Sequence, residues 1–230
     1  MERTISHSWD LPIEEAKALQ LKLAEKVITK TPFALSDIQT VAGVDVGFEG
    51  DVARAAIVVL DFPGLAPVDY AVGRVPVSFP YIPGLLTFRE GPSVLAALEK
   101  LTTMPDLYIF DGQGQAHPRR IGLASHMGVL MDEPTIGCAK SRLVGEYQEP
   151  HREAGHWTPL NAGEEVIGAV VRTRTGVKPV FVSIGHRVDL ATAINVVLNC
   201  TRGYRLPETT RYAHRVAGGA ELEIESQHRG

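Results

Sequence analysis

The sequence predicts an α/β fold in which helices flank a central mixed sheet, and three observations support this prediction. First, three apolar, β-rich runs between residues 40 and 76 are joined by turns too short to hold a helix, so they must pair antiparallel as a meander. Second, the strands that follow are separated by helical patterns, which is typical of parallel strands with right-handed connections. Third, there is no internal repeat or linker, so residues 1–230 are expected to form a single domain.

The first half of the chain supplies one helix and the meander. Asp10 and Pro12 are typical of a helix start, and the apolar positions that follow share one face, which predicts an amphipathic helix over about 11–29. Turn residues then delimit three predicted strands, at 40–48, 53–61 and 67–76.

The second half begins with a stiff, proline-rich loop at residues 80–84. A helix is predicted over about 85–102, with Pro92 near its start because proline is tolerated in a first turn. The remaining predicted elements are strands at 106–111 and 135–139, a helix at 121–131, a hairpin of 165–172 with 179–184, and a final helix at 188–200.

A three-strand meander followed by two helix-linked parallel strands is the order of the ribonuclease H-like fold. In that order the first and fourth strands are neighbours, about 4.8 Å apart. Asp45 lies within the first of these strands and Asp111 ends the fourth. A carboxylate in an apolar strand is costly unless a partner neutralises it, so the two aspartates are predicted to share one divalent ion. The alternative for Asp111 is a strand-ending Asp-Gly turn.

Carboxylates are hard oxygen ligands, which suit Mg²⁺ or Mn²⁺ rather than zinc. Glu90, shortly after the proline-rich loop, is the candidate for a third carboxylate. Its alternative role is only to place a negative charge in the first turn of a helix, where the helix dipole favours it.

Other candidate residues surround this predicted site. His117 and Lys140 each follow a predicted strand at the sheet end where ligands of open α/β sheets collect. Lys140 could contact a phosphate, or it could be a solvated loop lysine. Tyr81, held between prolines, could be a wedge that opens a duplex, or a tyrosine that caps the core.

Composition limits the other possibilities. The net charge of −4 gives no argument for nucleic acid by itself, although arginines are concentrated in the second half of the chain. No apolar run approaches the roughly 20 residues that span a bilayer, and the first residues lack a signal-peptide pattern. Cys138 and Cys200 have no metal-ligand spacing, so we expect free thiols and a cytoplasmic protein without a membrane partner.

Several long motifs, in order along residues 10–216, resemble the motifs of the endonuclease V family, whereas the tail at 217–230 is outside the resemblance. The motifs are Gly43-Val44-Asp45, the run from Pro80 to Glu90, Asp111 to Gly114 with Ala116 to Arg120, Gly122 to His126, Lys140 to Leu143, and Gly203 to Glu208 with Thr210-Arg211. Thr209 departs from the family pattern, in which proline is expected, and this affects only the local turn.

The resemblance implies a monomeric enzyme that cuts nucleic acid near deaminated bases, chiefly hypoxanthine (inosine), at the second phosphodiester bond on the 3′ side. DNA is the expected substrate, RNA is a second candidate, and Mg²⁺ is the expected cofactor, for which Mn²⁺ can substitute. By position, Asp45, Glu90 and Asp111 become the metal-binding and catalytic carboxylates, with Lys140 at the scissile phosphate and His214 near the metal. Tyr81 becomes the wedge and His117 lies beside the base pocket, which Gly84, Leu86, Gly112 and Ile121 line.

Three alternatives remain at this stage. An actin-like sugar kinase also opens with a glycine-flanked aspartate, but it needs a second related domain for which 230 residues are too few. A junction-resolving nuclease shares the fold but gives no reason for the Tyr81 loop. A non-enzymatic lesion-binding protein predicts that the carboxylates are missing, yet all three are present.

Overall fold

The computed structural model describes residues 5–224 of the chain. Its helices are α1 (Ile13–Ala24), α2 (Leu86–Leu98), α3 (Leu123–Met131), α4 (Leu190–Asn199) and α5 (Glu208–Ala217), with a short 3₁₀ turn at Leu35–Asp37. Its strands are β1 (Thr40–Glu49), β2 (Val52–Asp61), β3 (Pro67–Pro76), β4 (Leu107–Phe110), β5 (Thr135–Ala139), β6 (Trp157–Ala162), β7 (Glu165–Val171) and β8 (Val180–His186).

These strands form an eight-stranded sheet in the order β3-β2-β1-β4-β5-β8-β7-β6. The first three strands are an antiparallel meander, and β1, β4 and β5 run parallel to one another. The later strands β8, β7 and β6 continue the sheet in antiparallel fashion. The predicted ribonuclease H-like order, with the first and fourth strands adjacent, is confirmed.

The sheet has a helical layer on each face, and alternate residues of each strand face opposite layers. On β1, Val41 packs in the core beneath α4 and α5, whereas Ala42 and Val44 pack in the core beneath α2 and α3. By the same alternation, residues 43 and 45 share the α5 face with Val41. The parity of β1 therefore directs Asp45 towards α5.

The predicted end of the first helix was wrong because tertiary contacts, and not the apolar pattern of the sequence, decide where this helix ends. The first helix ends at Ala24 instead of continuing to residue 29. Just beyond it, the backbone of Ile28 accepts a hydrogen bond from Arg187 N at 2.7 Å and donates to the His186 ring at 3.2 Å. This docking onto the end of β8 needs an extended chain, so the helix stops although its apolar pattern continues.

Pro92 was also misplaced. It lies inside α2, six residues after the helix starts, instead of near a helix start. A proline there removes the donor that would pair with the carbonyl of Phe88. Burial of one face of α2 in two core clusters offsets that loss.

Two elements, strand β6 and helix α5, were not predicted. Strand β6 contains a proline and only one fully buried position, and α5 is a largely polar helix, so neither carries a strong apolar signal. Cys138 and Cys200 are both buried free thiols. No helix formed by residues 5–224 is long and apolar enough to cross a membrane.

Candidate active site

Asp45 and Asp111 meet at one end of the parallel pair of strands β1 and β4. The last paired residues there are Val44 and Phe110, so one further step places the two aspartates opposite each other. The backbone N–H of Asp111 continues the pairing by donating to the carbonyl of Val44 at 2.9 Å. The side chains are 12% and 9% exposed, so these two carboxylates are desolvated together.

His214 joins them from α5. Its Nδ1 atom lies 2.7 Å from Oδ2 of Asp45, and ligand atoms of Asp45, Asp111 and His214 all lie within 4.8 Å of one another. Gly43 makes this possible, because a Cβ atom there would lie 1.9 Å from the carbonyl oxygen of Thr209 at the start of α5. A glycine in β1 thus allows α5 to approach closely enough to bring His214 to the aspartates.

Lys140 lies directly after β5, and its ammonium group pairs with Oδ2 of Asp111. The side chain of Lys140 is still 41% exposed, so this lysine is partly solvated as well as paired with Asp111. The carbonyl of Lys140 also accepts a hydrogen bond from the Arg205 guanidinium, which fixes the backbone at this point.

Glu90 faces the same site from α2. Burial, and then the nearby carboxylates of Asp45 and Asp111, raise its pKa to about 8. Burial also raises the pKa of Asp111, and the hydrogen bond from Lys140 opposes that shift. The negative charges of Asp45 and Asp111 thus disfavour ionisation of Glu90 in a poorly hydrated place.

This donor set fits a hard divalent cation. A cation would relieve the carboxylate repulsion, and oxygen-rich sites favour Mg²⁺ or Mn²⁺. The group of closest ligand atoms contains His214 instead of Glu90, so Asp45 and Asp111 with His214 form the tightest candidate metal site at this sheet end.

A cleft of about 160 Å³ adjoins the carboxylates. A cavity of about 150 Å³ accommodates benzene, so this space suits a small planar ring system. The cleft brings together most of the predicted binding residues: its lining includes Tyr81, Gly84, Leu86, Gly112 and His117, together with Asp45, Glu90 and Asp111.

The structure places Ile121 elsewhere than expected. Its side chain is fully buried and packs with Leu23 and Val129 in a separate apolar cluster. The next residue, Gly122, is the one that lines the cleft. Because its side chain packs in the core, Ile121 is a packing residue and not a lining residue.

Tyr81 is 68% exposed, in the loop at the edge of the cleft. The alternative of a tyrosine that caps the core is therefore wrong. An aromatic ring left in water beside a cleft is available to stack on an unpaired base.

His117 is 2% exposed, and both of its ring nitrogens have partners. Nδ1 accepts from the backbone N–H of Arg119 at 3.2 Å, and Nε2 then donates to the carbonyl of Gly84 at 3.0 Å. Burial, followed by the Arg119 guanidinium, lowers the pKa of His117 to about 4. His117 is thus a neutral wall of the cleft near pH 7.

Sequence reasoning missed Gln20, which is 1% exposed on the buried face of α1. The available signal was a polar residue at an apolar position, between Ala16 and Leu23 on the same helical face. His214 was identified only through the resemblance, since nothing in the surrounding polar pattern marks it.

The fold and the site together define a nuclease: a carboxylate cluster with a lysine and a histidine lies at the end of the parallel strands of a ribonuclease H-like sheet, beside a cleft sized for a ring system. Comparison with known proteins gives the particular family. The sequence profile of Endonuclease V matches residues 21–215. Endonuclease V from Roseiflexus sp. (strain RS-1) is 54% identical over 222 residues, which are 96% of this chain and 99% of that one.

Solved structures agree. The crystal structure of Endonuclease V from Streptomyces avermitilis is 49% identical, has a TM-score of 0.88 and covers 93% of this chain and 95% of its own. Ciona intestinalis Endonuclease V, solved in complex with a 24mer DNA containing an inosine followed by a ribo-adenosine, is 32% identical with a TM-score of 0.77, covering 90% and 95%. The chain belongs to the endonuclease V family and is a nuclease, which decides against the sugar kinase and the non-enzymatic alternative.

Proposed function

We propose that this protein is a metal-dependent endonuclease that recognises deaminated bases, chiefly hypoxanthine, in DNA, and hydrolyses the second phosphodiester bond on the 3′ side of the lesion. The observation that carries the proposal is the cleft itself, whose lining includes both the carboxylates of Asp45, Glu90 and Asp111 and the exposed Tyr81. The inosine-containing DNA bound by the Ciona intestinalis relative supports the same substrate. The enzyme acts as a monomer in DNA repair, and RNA is a second substrate.

Asp45 and Asp111 would hold Mg²⁺, with Mn²⁺ as a substitute, and Glu90 and His214 lie beside them. When bound, such an ion lowers the pKa of a coordinated water and neutralises charge at the phosphate. Lys140 carries a positive charge to the same place, where it can offset the charge on a non-bridging phosphate oxygen. In the free protein that charge is paired with Asp111.

The base-binding part of the site would work by extrusion of the damaged nucleotide. Tyr81 enters the space that the base leaves, and the base occupies the cleft between the glycine-containing segments at Gly84 and Gly112. Backbone groups at these glycines come close enough to read the edge of the base.

Selectivity follows from the edge of the base. Hypoxanthine presents an O6 acceptor and an N1–H donor, whereas adenine presents the reverse, and each mismatched buried group costs about 1–3 kcal/mol. Guanine shares the hypoxanthine edge, so its additional N2 amine must be excluded by crowding or left without a partner.

The test is cleavage of end-labelled single-stranded oligonucleotides that carry inosine, adenosine or guanosine at one position, with and without Mg²⁺. We expect a single product, cut at the second bond 3′ to inosine, that disappears in EDTA and returns with Mn²⁺. If guanosine is cut as fast as inosine, exclusion of the amine by the pocket is wrong. Cleavage that is unchanged in EDTA would overturn metal dependence.

A further inference from the structure

Three donors converge on one backbone carbonyl, that of Gly84. Gln20 Nε2 lies 3.0 Å from this oxygen, Arg119 Nη2 lies 2.7 Å from it, and His117 Nε2 lies 3.0 Å from it. A carbonyl oxygen has two lone pairs and usually accepts one or two hydrogen bonds. The carbonyl of Gly84 is therefore held more firmly than a loop backbone normally is.

Gln20 also binds a second partner of this carbonyl, Arg119, and lies close to a second backbone carbonyl. Its Oε1 accepts from Arg119 Nε at 2.6 Å, and its Nε2 also lies 3.4 Å from the carbonyl of Ile121. A buried amide is costly unless it is hydrogen bonded, and an apolar side chain would serve equally well to pack α1. Gln20 thus fills a core position with a group that holds the loop.

Gly84 itself has a backbone conformation that favours glycine. Gly84 has a φ of +80°, a region that favours glycine, and a Cβ atom there would lie 2.9 Å from Arg119 Nη2. On one side of Gly84 the chain carries Tyr81, and on the other side α2 begins at Leu86 and carries Glu90. A fixed Gly84 carbonyl therefore sets the position of Tyr81 relative to Glu90 on α2.

We propose that Gln20 and Arg119 are positioning residues for the base-binding loop at residues 80–84, so that the helix α1, remote from the carboxylates, contributes to base selectivity. The inference rests on the proposed function, since it assigns a role within the same cleft. The competing interpretation is that the two side chains only stabilise the fold.

The experiment compares Gln20→Met with Leu23→Met. Methionine matches the length of glutamine but makes none of its hydrogen bonds, and Leu23 is a buried residue of the same helix that packs with Ile121 and Val129. Arg119→Lys is the second variant, because it keeps the charge but loses the planar fork that reaches both Gln20 and Gly84. For each variant, the urea midpoint is measured together with single-turnover cleavage of inosine and guanosine in single-stranded oligonucleotides.

We expect Gln20→Met and Arg119→Lys to lower the ratio of inosine to guanosine cleavage by about tenfold, in line with loss of one or two well-formed hydrogen bonds. Leu23→Met should keep the wild-type ratio at a comparable urea midpoint. If both loop-holding variants keep the ratio, or if Leu23→Met lowers it equally, the positioning role is wrong. Failure of the proposed function looks different, because wild-type protein would then leave the inosine oligonucleotide uncut.

Discussion

Asp45 lies near the carboxyl groups of Glu90 and Asp111, and its Oδ2 atom is 2.7 Å from Nδ1 of His214. This arrangement suits a bound cation, whereas the apolar strand around Asp45 offers a carboxylate no partner. Asp45→Asn removes one ligand charge but leaves the cleft and Tyr81 in place. We expect cleavage of inosine DNA to fall by about 10³-fold or more, equivalent to roughly 4 kcal/mol of transition-state stabilisation. Binding of the same DNA, measured by fluorescence anisotropy, should largely remain. Cleavage at a near-normal rate would remove Asp45 from the metal site.

Tyr81 gives a second prediction at the level of one side chain. Tyr81→Ala should reduce cleavage of inosine in a duplex more than cleavage of inosine in a single strand. Stacking and pairing must be broken only in the duplex, at a cost of a few kcal/mol. Parallel kinetic measurements on the two substrates decide the matter, and Tyr81→Phe is the control that keeps the ring. Equal losses on both substrates would mean that Tyr81 contacts the base instead of opening the helix.

Single residues could be predicted from the sequence where a polar group interrupts an apolar run. Asp45 and Asp111 stand out in this way, because a buried carboxylate needs a partner. Gln20 and His214 could not be predicted in this way. Their partners, Gly84 and Asp45, lie 64 and 169 residues away in the chain. Ile121 was assigned to the cleft by resemblance, but packing in the core decides the direction of its side chain.

Among the secondary-structure elements, the approach of α5 to β1 depends on Gly43. A Cβ atom at residue 43 would meet the backbone of Thr209 at 1.9 Å, and backbone cannot move aside as a flexible side chain can. Gly43→Ala should therefore displace α5, lower the free energy of unfolding by about 1–3 kcal/mol or more, and separate His214 from Asp45. Urea denaturation and the cleavage rate measure the two effects.

Gly218→Ala is the matched control, at the other end of α5. Its φ is −80°, and an added Cβ atom would meet its nearest neighbour at an ordinary 3.4 Å. This variant should change stability little and leave the cleavage rate intact. Wild-type stability in Gly43→Ala would show that α5 does not pack as tightly as the geometry indicates.

The elements were predictable where apolar periodicity was strong and less so where it was weak. The meander, the parallel strands and the hairpin of β7 with β8 follow from alternating and continuous apolar runs. Helix α5 is amphipathic, but its buried face consists mostly of small or polar side chains, including Thr209, Thr210 and Ala213, so no run of large apolar residues marks it. The end of α1 is fixed by contacts with β8, which no local pattern reveals.

On the scale of the whole molecule, buried histidines make stability depend on pH. Burial lowers the pKa of His126 to about 3 and that of His117 to about 4, both below the unfolded value of 6.5. Between about pH 4 and 6.5 the unfolded chain therefore binds more protons than the folded one. The free energy of unfolding should fall as pH falls through this window, by up to about 1.4 kcal/mol per pH unit for each histidine.

Urea denaturation of wild-type protein and of His126→Gln, at pH values from 7 to 5, tests this expectation. His126 is fully buried beside His7, Trp9 and Phe88, and glutamine cannot take up a proton there. The variant should show a shallower dependence on pH, and contributions from Glu90 cancel in the comparison. Identical slopes would mean that folding does not lower the pKa of His126.

The contact of α5 with β1 also has a consequence for the order in which the protein is made. Asp45 leaves the ribosome early, whereas His214 follows 169 residues later, and domains form as the chain emerges at about 5–20 residues per second. A nascent chain can build β1, β2 and β3 while it still lacks the helix that brings His214 to Asp45. The pairing of His214 with Asp45 therefore cannot form until synthesis has passed residue 214, so the proposed metal site is completed late in translation.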